Sequence, residues 1–398
     1  MKLKDASINI FSGGTPSTTD KKFWNGDFHW LSSGETKNKY IKGTEKTITQ
    51  LGIDSSSTRL ARKHDVIVAS AGQGKTRGQV SYCFIDTYIN QSIIAIRTKT
   101  NILNSKYLFY NLSSRYNELR LLSDSSSSRG SLTVKIFEEL DIKLPPLNLQ
   151  DKIAKILSNY DDLIENNNRR IKILEEMAKK IYKEWFVDFK FPGHEKAVFK
   201  DSELGKIPSD WEIVCINDIA NVLMGQSPNS CFYNTENKGL PFHQGVTHFG
   251  KKLPNHKIYC SCHGRTAKNG DILVSVRAPV GRINIADKNI IIGRGLAAIN
   301  SKCGNNLFLL YALYNLFDTE DKFGNGAVFN AITKDELLSL TLFSPTKDVI
   351  AKFELIVKPI EALLTNLIIK NKTLKQTRDI LLPRLISGEI DVENMEIV

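Results

Sequence analysis

The sequence has no long uncharged apolar run and no leader-like start. None of its apolar segments approaches the roughly 20 residues that a helix needs to cross a bilayer. The chain begins Met1-Lys2-Leu3-Lys4-Asp5, which lacks the basic stretch followed by an apolar stretch of a secretory signal. These absences predict a cytoplasmic protein that makes no contact with a membrane.

Cysteine is scarce and unevenly placed. Five of the six cysteines lie after residue 200 and have no counterparts in the first half. A disulfide framework common to both halves is therefore not expected. The segment Cys260-Ser261-Cys262-His263 is spaced too tightly for a structural zinc pair, and no second pair follows it. We expect buried or loop thiols and no metal site.

Signatures of catalysis are also missing. The sequence contains no Gly-x-Ser-x-Gly elbow, no His-Glu-x-x-His helix and no dinucleotide-binding glycine loop. Residues 72–76, Gly-Gln-Gly-Lys-Thr, resemble the end of a phosphate-binding loop. However, Ala69 stands where the first glycine is required, and residues 79–85 alternate like a strand rather than a helix. The sequence therefore predicts no enzyme activity and no cofactor for this chain.

What the chain does contain is an internal repeat. Gly13-Gly14-Thr15-Pro16 returns as Gly225-Gln226-Ser227-Pro228, the strand-like residues 65–70 return as 271–276, and Ile-Ala-Lys at 153–155 returns at 350–352. The offsets are 212, 206 and 197 residues. A period of this length is that of whole domains rather than of a solenoid.

Each copy is predicted to be an α+β globule followed by a long helix. Short apolar strands are predicted at 66–69, 79–85 and 92–97 and at 272–276, 281–286 and 296–299, with a short helix after each set, at 106–116 and 307–317. Apolar residues then recur at steps of 4 and 3 from Ile153 and from Ile350, interrupted by Asn167, Asn371 and Arg378. This heptad pattern favours two long helices that pack as an antiparallel coiled coil, although packing of each helix on its own globule stays open. Pro359 should kink the second helix or mark its start.

The predicted fold class is thus α+β, with two tandem globular domains, each followed by a long helix. The predicted boundaries are 1–147 for the first domain, 148–190 for the first spacer helix, 191–345 for a linker and the second domain, 346–388 for the second spacer helix and 389–398 for a tail.

Positive charge is concentrated in the first domain. The formal net charge of the chain is +11, and residues 1–147 carry 21 Lys and Arg against 13 Asp and Glu. Residues 191–345 are close to balanced, with 16 against 14. Such a surface suits a polyanion such as DNA, because Lys and Arg contacts to phosphate release counterions. A generic basic surface is the alternative explanation.

Several segments resemble one family, the DNA specificity subunits of type I restriction-modification systems. The resemblance is carried by residues 144–157 (LPPLNLQDKIAKIL), 161–167 (DDLIENN), 184–189 (EWFVDF), 204–212 (LGKIPSDWE) and 382–390 (LPRLISGEI). Ser344-Pro345-Thr346 stands where the first copy has a double proline, so the second copy departs from the pattern at the helix start.

The resemblance implies two target-recognition domains that each read half of a split site in double-stranded DNA, with the helices setting the unread spacer. It also implies assembly with two methyltransferase (modification) subunits and with restriction/translocase subunits. Those partners would methylate adenine with S-adenosylmethionine and cleave DNA with ATP and Mg²⁺, so this chain would be non-catalytic.

Polar loop residues near strand ends are the candidates for DNA contact. They are Lys37, Gln73, Lys75, Arg77 and Arg129 in the first domain, and Gln226, His243, Gln244, Arg277, Arg282 and Arg294 in the second. Each could instead be a solvated charge or a packing hydrogen bond. An autonomous DNA-acting enzyme and a protein-binding helical scaffold remain alternative functions.

Overall fold

The computed structural model describes residues 1–72, 74–126, 130–203, 205–317 and 331–395. The chain divides into two compact units, unit 1 (Met1–Asn166 with Asn371–Val398) and unit 2 (Asn167–Lys370). Both boundaries fall inside long helices. Unit 1 is assembled from two separate stretches of sequence, whereas unit 2 is one continuous stretch.

The described helices include two that are far longer than the others. Unit 1 holds α1 (Gln50–Asp54), α2 (Ser105–Ser114), α3 (Tyr116–Ser126) and α4 (Val134–Glu138), and unit 2 holds α6 (Ile216–Ile219), α7 (Asn306–Phe317) and α8 (Lys334–Ser339); α5 (Leu147–Phe186) and α9 (Lys347–Ser387) contribute to both. Short 3₁₀ turns lie at Leu3–Ala6, Lys21–Phe23, Ser33–Lys37, His194–Lys196, Ser230–Phe232 and Val246–His248. None of the described helices is long and apolar enough to cross a membrane.

The described residues of unit 1 form two sheets. Its strands are β1 (Ser7–Ser12), β2 (Trp24–Leu31), β3 (Tyr40–Ile41), β4 (Lys46–Ile48), β5 (Arg59–Ala61), β6 (Val66–Ala69), β7 (Val80–Cys83), β8 (Thr87–Ile89) and β9 (Ile93–Thr98). One sheet has the order β1-β9-β6-β7-β3 and the other the order β4-β2-β8-β5. The pairs β7–β3 and β2–β8 are parallel, and the remaining pairs are antiparallel.

Unit 2 repeats this plan with two sheets and two additional strand pairs. Its strands are β10 (Phe199–Ser202), β11 (Gly205–Pro208), β12 (Glu212–Cys215), β13 (Ala220–Met224), β14 (Tyr233–Asn234), β15 (Leu240–His243), β16 (Tyr259–Cys260), β17 (Thr266–Ala267), β18 (Ile272–Ser275), β19 (Ile283–Ile285), β20 (Ile290–Ile292), β21 (Leu296–Ser301) and β22 (Thr341–Ser344). The sheets have the orders β13-β21-β18-β19 and β14-β16-β15-β20-β17, and β10 pairs with β11 and β12 with β22.

The central strands are buried on both faces, which explains why they read as continuous apolar runs. In β6, Val66 and Val68 face the core beneath α2, whereas Ile67 faces the second sheet. In β18 the same alternation recurs, because Ile272 and Val274 face one core and Leu273 the other. The predicted strands and the α+β class are confirmed.

The two long helices pack against each other antiparallel, as predicted. In unit 1, Asn371 Nδ2 of α9 donates to Ile164 O at 3.4 Å, and Arg378, farther along α9, reaches Asp161, earlier in α5. In unit 2, the ring of Phe353 contacts Tyr182 and Trp185 of α5. Heptad residues of both helices are buried, including Leu157, Ile171, Val357 and Leu364.

Helix α9 continues through Pro359, which therefore does not mark its start. The helix begins at Lys347 and ends before Gly388, whose φ of +77° fits the left-handed position that glycine favours after a helix. The segment that follows stays in unit 1, where Lys152 Nζ donates to Glu393 O at 2.6 Å and to Met395 O at 3.1 Å.

Candidate nucleic-acid interface

Four of the candidates in unit 2 meet at one corner of its sheets. Strand β13 ends at Met224, and Gly225 follows with no space for a side chain, because a Cβ there would lie 2.2 Å from Gly293 O. The Gln226 N–H then donates to Ile292 O at 3.0 Å. We call residues 225–228, 243–244 and 292–295 corner 2.

The hydroxyl of Ser227 lies at the centre of corner 2. Its Oγ donates to Gln244 Oε1 at 2.7 Å and accepts the N–H of Arg294 at 3.2 Å. The side chains of Gln226, Gln244 and Arg294 are exposed. Corner 2 thus presents two carboxamides and a guanidinium on one loop cluster.

His243 belongs to the same corner, but its side chain points into the unit. It is 1% exposed, and its Nε2 lies 3.1 Å from Nδ1 of His256, whose Nε2 lies 2.8 Å from Asp287 Oδ1. Burial, together with the charges of His256 and His248, lowers the pKa of His243 to about 4. This histidine is therefore neutral at physiological pH, and its buried side chain supports the loop that carries Gln244.

Arg277 and Arg282 lie on an adjoining loop. Both side chains are exposed in the connection between β18 and β19. The loop is joined to corner 2 because the Val276 N–H donates to Gly295 O at 2.9 Å. Its far end is fixed by the Arg282 N–H, which donates to Ser275 Oγ at 2.8 Å.

Unit 1 has an equivalent corner that sequence reasoning missed. A Cβ at Gly13 would lie 1.9 Å from Ile89 O, and the Gly14 N–H donates to that same carbonyl at 3.1 Å. Thr15 Oγ1 donates to Oε1 of the exposed Gln91 at 2.5 Å. We call residues 13–16, 31–32 and 89–92 corner 1.

The strand pairings establish this equivalence. Leu31 pairs with Ile89 in parallel strands, just as His243 pairs with Ile292. In both units the residue after this pair donates back to the neighbouring strand. Asn90 N–H donates to Leu31 O at 3.2 Å, and Gly293 N–H donates to His243 O at 2.8 Å. The repeated Gly-x-Ser/Thr-Pro segment was the signal that could have located corner 1.

The candidates in unit 1 divide between exposed and internally bonded side chains. Lys75 is exposed, and the exposed Lys37 places its Nζ 3.9 Å from Glu45. Arg77 is instead engaged within the unit, because one guanidinium nitrogen donates to Gly130 O at 2.7 Å and another pairs with Asp124. Gln73 and Arg129 lie outside the described residues.

A buried ionic cluster holds the globular part of unit 1 on its helices. The carboxylate of Asp161 in α5 accepts from Lys39 Nζ, Tyr40 OH and Tyr110 OH, each at 2.6 Å, and from Arg378 of α9 at 2.5 Å. Burial alone would raise the pKa of Asp161, but the charge of Lys39 and these hydrogen bonds outweigh it and lower the pKa.

Unit 2 has a corresponding cluster with fewer members. Glu361 of α9 accepts from Lys252 Nζ and from Tyr311 OH. Lys252 and Glu361 are almost fully buried, with side chains 4% and 7% exposed. Tyr311 is the sixth residue of α7, as Tyr110 is of α2.

Among the described residues, no group of three or more His, Cys, Asp or Glu side chains is arranged to hold a metal ion. Cys260 Sγ and Cys262 Sγ are 3.4 Å apart, and both thiols are free.

Comparison with known proteins decides the family. The model of the type I restriction modification DNA specificity domain matches this chain twice, at residues 1–176 and 208–377. The chain belongs to that family. The two matches also correspond to the two copies of the repeat, each of which carries one corner.

Two specificity-domain relatives come from Methanocaldococcus jannaschii. The chain is 38% identical to an MjaX type I restriction enzyme specificity subunit over 260 residues, which are 64% of this chain and only 60% of that relative. It is 28% identical to the MjaIX specificity subunit over 418 residues, covering 99% of this chain and 94% of that relative.

A solved structure supports the fold. The crystal structure of a type I restriction-modification system S subunit from M. genitalium matches with a TM-score of 0.65, covering 97% of this chain and 95% of that one. The identity is 16%, so the likeness shows the specificity-subunit fold alone.

Proposed function

We propose that this chain is the non-catalytic DNA-recognition subunit of a type I restriction-modification complex, with each unit reading one half of a bipartite site. The observation that carries the proposal is the double match to the specificity-domain family, together with one polar corner in each matched copy. Such a duplication suits two short sequence blocks on one duplex.

The exposed side chains of the corners are of the kinds that read base edges. Glutamine pairs with adenine through two hydrogen bonds, and arginine pairs with guanine in the same manner. We therefore assign base contacts to Gln226, Gln244 and Arg294. On residue type alone, we assign the same role to Gln73 and Arg129 within the first half-site.

The exposed cations outside the corners are assigned to phosphate. Lys37, Lys75, Arg277 and Arg282 are exposed, and phosphate contacts fix the register of a protein on the duplex without carrying sequence information. Arg77 and His243 are assigned to shaping their loops, because their side chains are bonded or buried inside the units.

The long helices are assigned two tasks. At 1.5 Å per residue, α5 and α9 are each roughly 60 Å long, and this length would set the unread spacer. Their exposed apolar side chains Ile173, Met177, Leu355 and Leu363 would take apolar helices of two methyltransferase subunits. Restriction subunits would complete the complex in the cytoplasm, and S-adenosylmethionine, ATP and Mg²⁺ would be bound by the partners only.

A base-resolution map of adenine methylation tests the proposal. Cells that carry the matching modification subunit are compared with and without this chain. The expected result is a split motif, two short blocks around a fixed gap, that appears only with the chain. Exchange of residues 1–147 for those of a relative should then change one block and leave the other.

Unchanged methylation with an intact partner would contradict the proposal. Methylation or cleavage by the purified chain alone would favour an autonomous enzyme. Binding to DNA that does not weaken with salt would favour a protein-binding scaffold, because phosphate contacts make binding salt-dependent.

A further inference from the structure

The two corners share a hydroxyl-to-carboxamide bond at the same place in the fold. In corner 1 the hydroxyl of Thr15 donates to Gln91, and in corner 2 the hydroxyl of Ser227 donates to Gln244. The hydroxyls occupy equivalent positions, but the glutamines do not, since Gln91 follows β8 and Gln244 follows β15. The same hydroxyl-to-carboxamide hydrogen bond is thus made to glutamines that lie on two non-equivalent loops.

We propose that Thr15 and Ser227 are positioning residues that fix the carboxamides of Gln91 and Gln244 for reading a base edge. This inference rests on the proposed function and adds Gln91, Thr15 and Ser227 to the residues that determine specificity.

Hydrogen-bond chemistry explains how a hydroxyl would do this. A glutamine amide has a donor end and an acceptor end, and adenine is read only when both face the right way. A hydroxyl that donates to Oε1 selects one orientation. It leaves the second lone pair of Oε1 and both Nε2 hydrogens free to contact a base edge.

Corner 2 shows how the direction of the hydroxyl is set. Ser227 Oγ accepts the N–H of Arg294 at 3.2 Å and donates its own hydrogen to Gln244 Oε1 at 2.7 Å. Gly293 keeps the space for this amide open, because a Cβ there would lie 2.7 Å from Gln244 Oε1.

The corners do not need these bonds in order to fold. Main-chain hydrogen bonds already close them, from Gly14 N–H to Ile89 O and from Gln226 N–H to Ile292 O. Gln91 and Gln244 are exposed, so loss of the hydroxyl leaves no buried polar group without a partner on the glutamine. The effect of the hydroxyl should therefore appear in specificity rather than in stability.

The test uses the full chain, in complex with its methyltransferase subunits, and DNA duplexes that carry the split site found by methylation mapping. Dissociation constants are measured for the intact site and for single-base substitutions in each block. Thr15→Val should reduce discrimination roughly tenfold at one position of one block, and Ser227→Ala should do so only in the other block. Thr15→Ser and Ser227→Thr retain the hydroxyl and should retain discrimination.

Two further variants remove the amides themselves. Gln91→Leu and Gln244→Leu should abolish discrimination at the positions that the hydroxyl variants weaken, with unchanged unfolding midpoints. Intact discrimination in the leucine variants, or an equal loss in both blocks for either hydroxyl variant, would overturn the inference. Absence of any split motif with the wild-type chain would instead overturn the proposed function, and the inference with it.

Discussion

Each unit has a buried carboxylate on one of its long helices, and the two units neutralise that carboxylate in different ways. In unit 1, Asp161 is neutralised by two cations, Lys39 and Arg378, whereas Lys252 is the one cation paired with Glu361 among the described residues of unit 2. Both carboxylates also accept a hydrogen bond from a tyrosine at the equivalent helix position, Tyr110 or Tyr311. The common requirement is a neutralised charge between globule and helix, and the elements that supply the cation can change.

The largest expected effect comes from uncoupling the cluster of unit 1. Asp161→Asn removes the buried counter-ion that Lys39 and Arg378 share, while Arg378 keeps its ion pair with the exposed Asp379. Unit 1 should therefore lose about 4 kcal/mol of its free energy of unfolding. Hydrogen exchange reports each unit separately, and the amides of α2 should lose protection while those of α7 keep it. The exposed neighbour supplies the control, because Asp162→Asn should change little. Equal losses in the two variants would show that the cluster does not stabilise unit 1.

The corresponding change in unit 2 should cost less. Glu361→Gln leaves one buried lysine unpaired, for which we expect a loss of about 3 kcal/mol, measured by the protection of α7. Adding Lys252→Met removes the remaining buried charge and should recover much of that loss. If the double variant is less stable than Glu361→Gln, the lysine has a role beyond neutralising the carboxylate.

Acid should destabilise unit 2 through a histidine that unit 1 lacks. His243 stands in unit 2 where unit 1 has Leu31. Its pKa of about 4 in the folded chain lies below the unfolded value of about 6.5. The unfolded chain therefore binds the proton more readily, and the stability present above pH 6.5 is lost as the pH falls towards 4.

At pH 5 this loss should be about 2 kcal/mol in unit 2. The measurement is hydrogen-exchange protection of α7 between pH 8 and pH 5, after correction for intrinsic exchange rates. His243→Leu should flatten the profile over this range. The lowered pKa of Asp161 places its own contribution at lower pH, since it is lost only as the pH falls below the ordinary range of an aspartate. A profile that His243→Leu leaves unchanged would assign the acid sensitivity to another group.

Much of the fold was predictable because its signals are local. Strands such as β6 and β18 are buried on both faces and read as apolar runs, and the heptads of α5 and α9 persist over many turns. The second sheet of each unit was missed. In unit 2, several strands of this sheet have two residues, as at Tyr233–Asn234 and Thr266–Ala267, and depend on partners distant in the sequence.

The sites were harder to predict for the same physical reason. Arg77 and His243 look like solvent-facing residues at strand ends, and only tertiary contacts show that one is bonded within its unit and the other is buried. The pairing of Arg378 with Asp161 joins residues 217 positions apart, which no local pattern reports. The positions of the corners were more predictable from the sequence, because the repeated glycine and proline mark a backbone conformation that both copies share.

The division of unit 1 into two stretches has a consequence for synthesis. Residues 1–166 leave the ribosome about 200 residues before the stretch that completes their unit. At typical translation rates of roughly 5–20 residues per second, this interval is about 10–40 s. During it Asp161 has no Arg378, and the core that Leu385 closes stays open. Unit 2 is continuous in sequence and can fold first, so the order of folding should run against the order of translation.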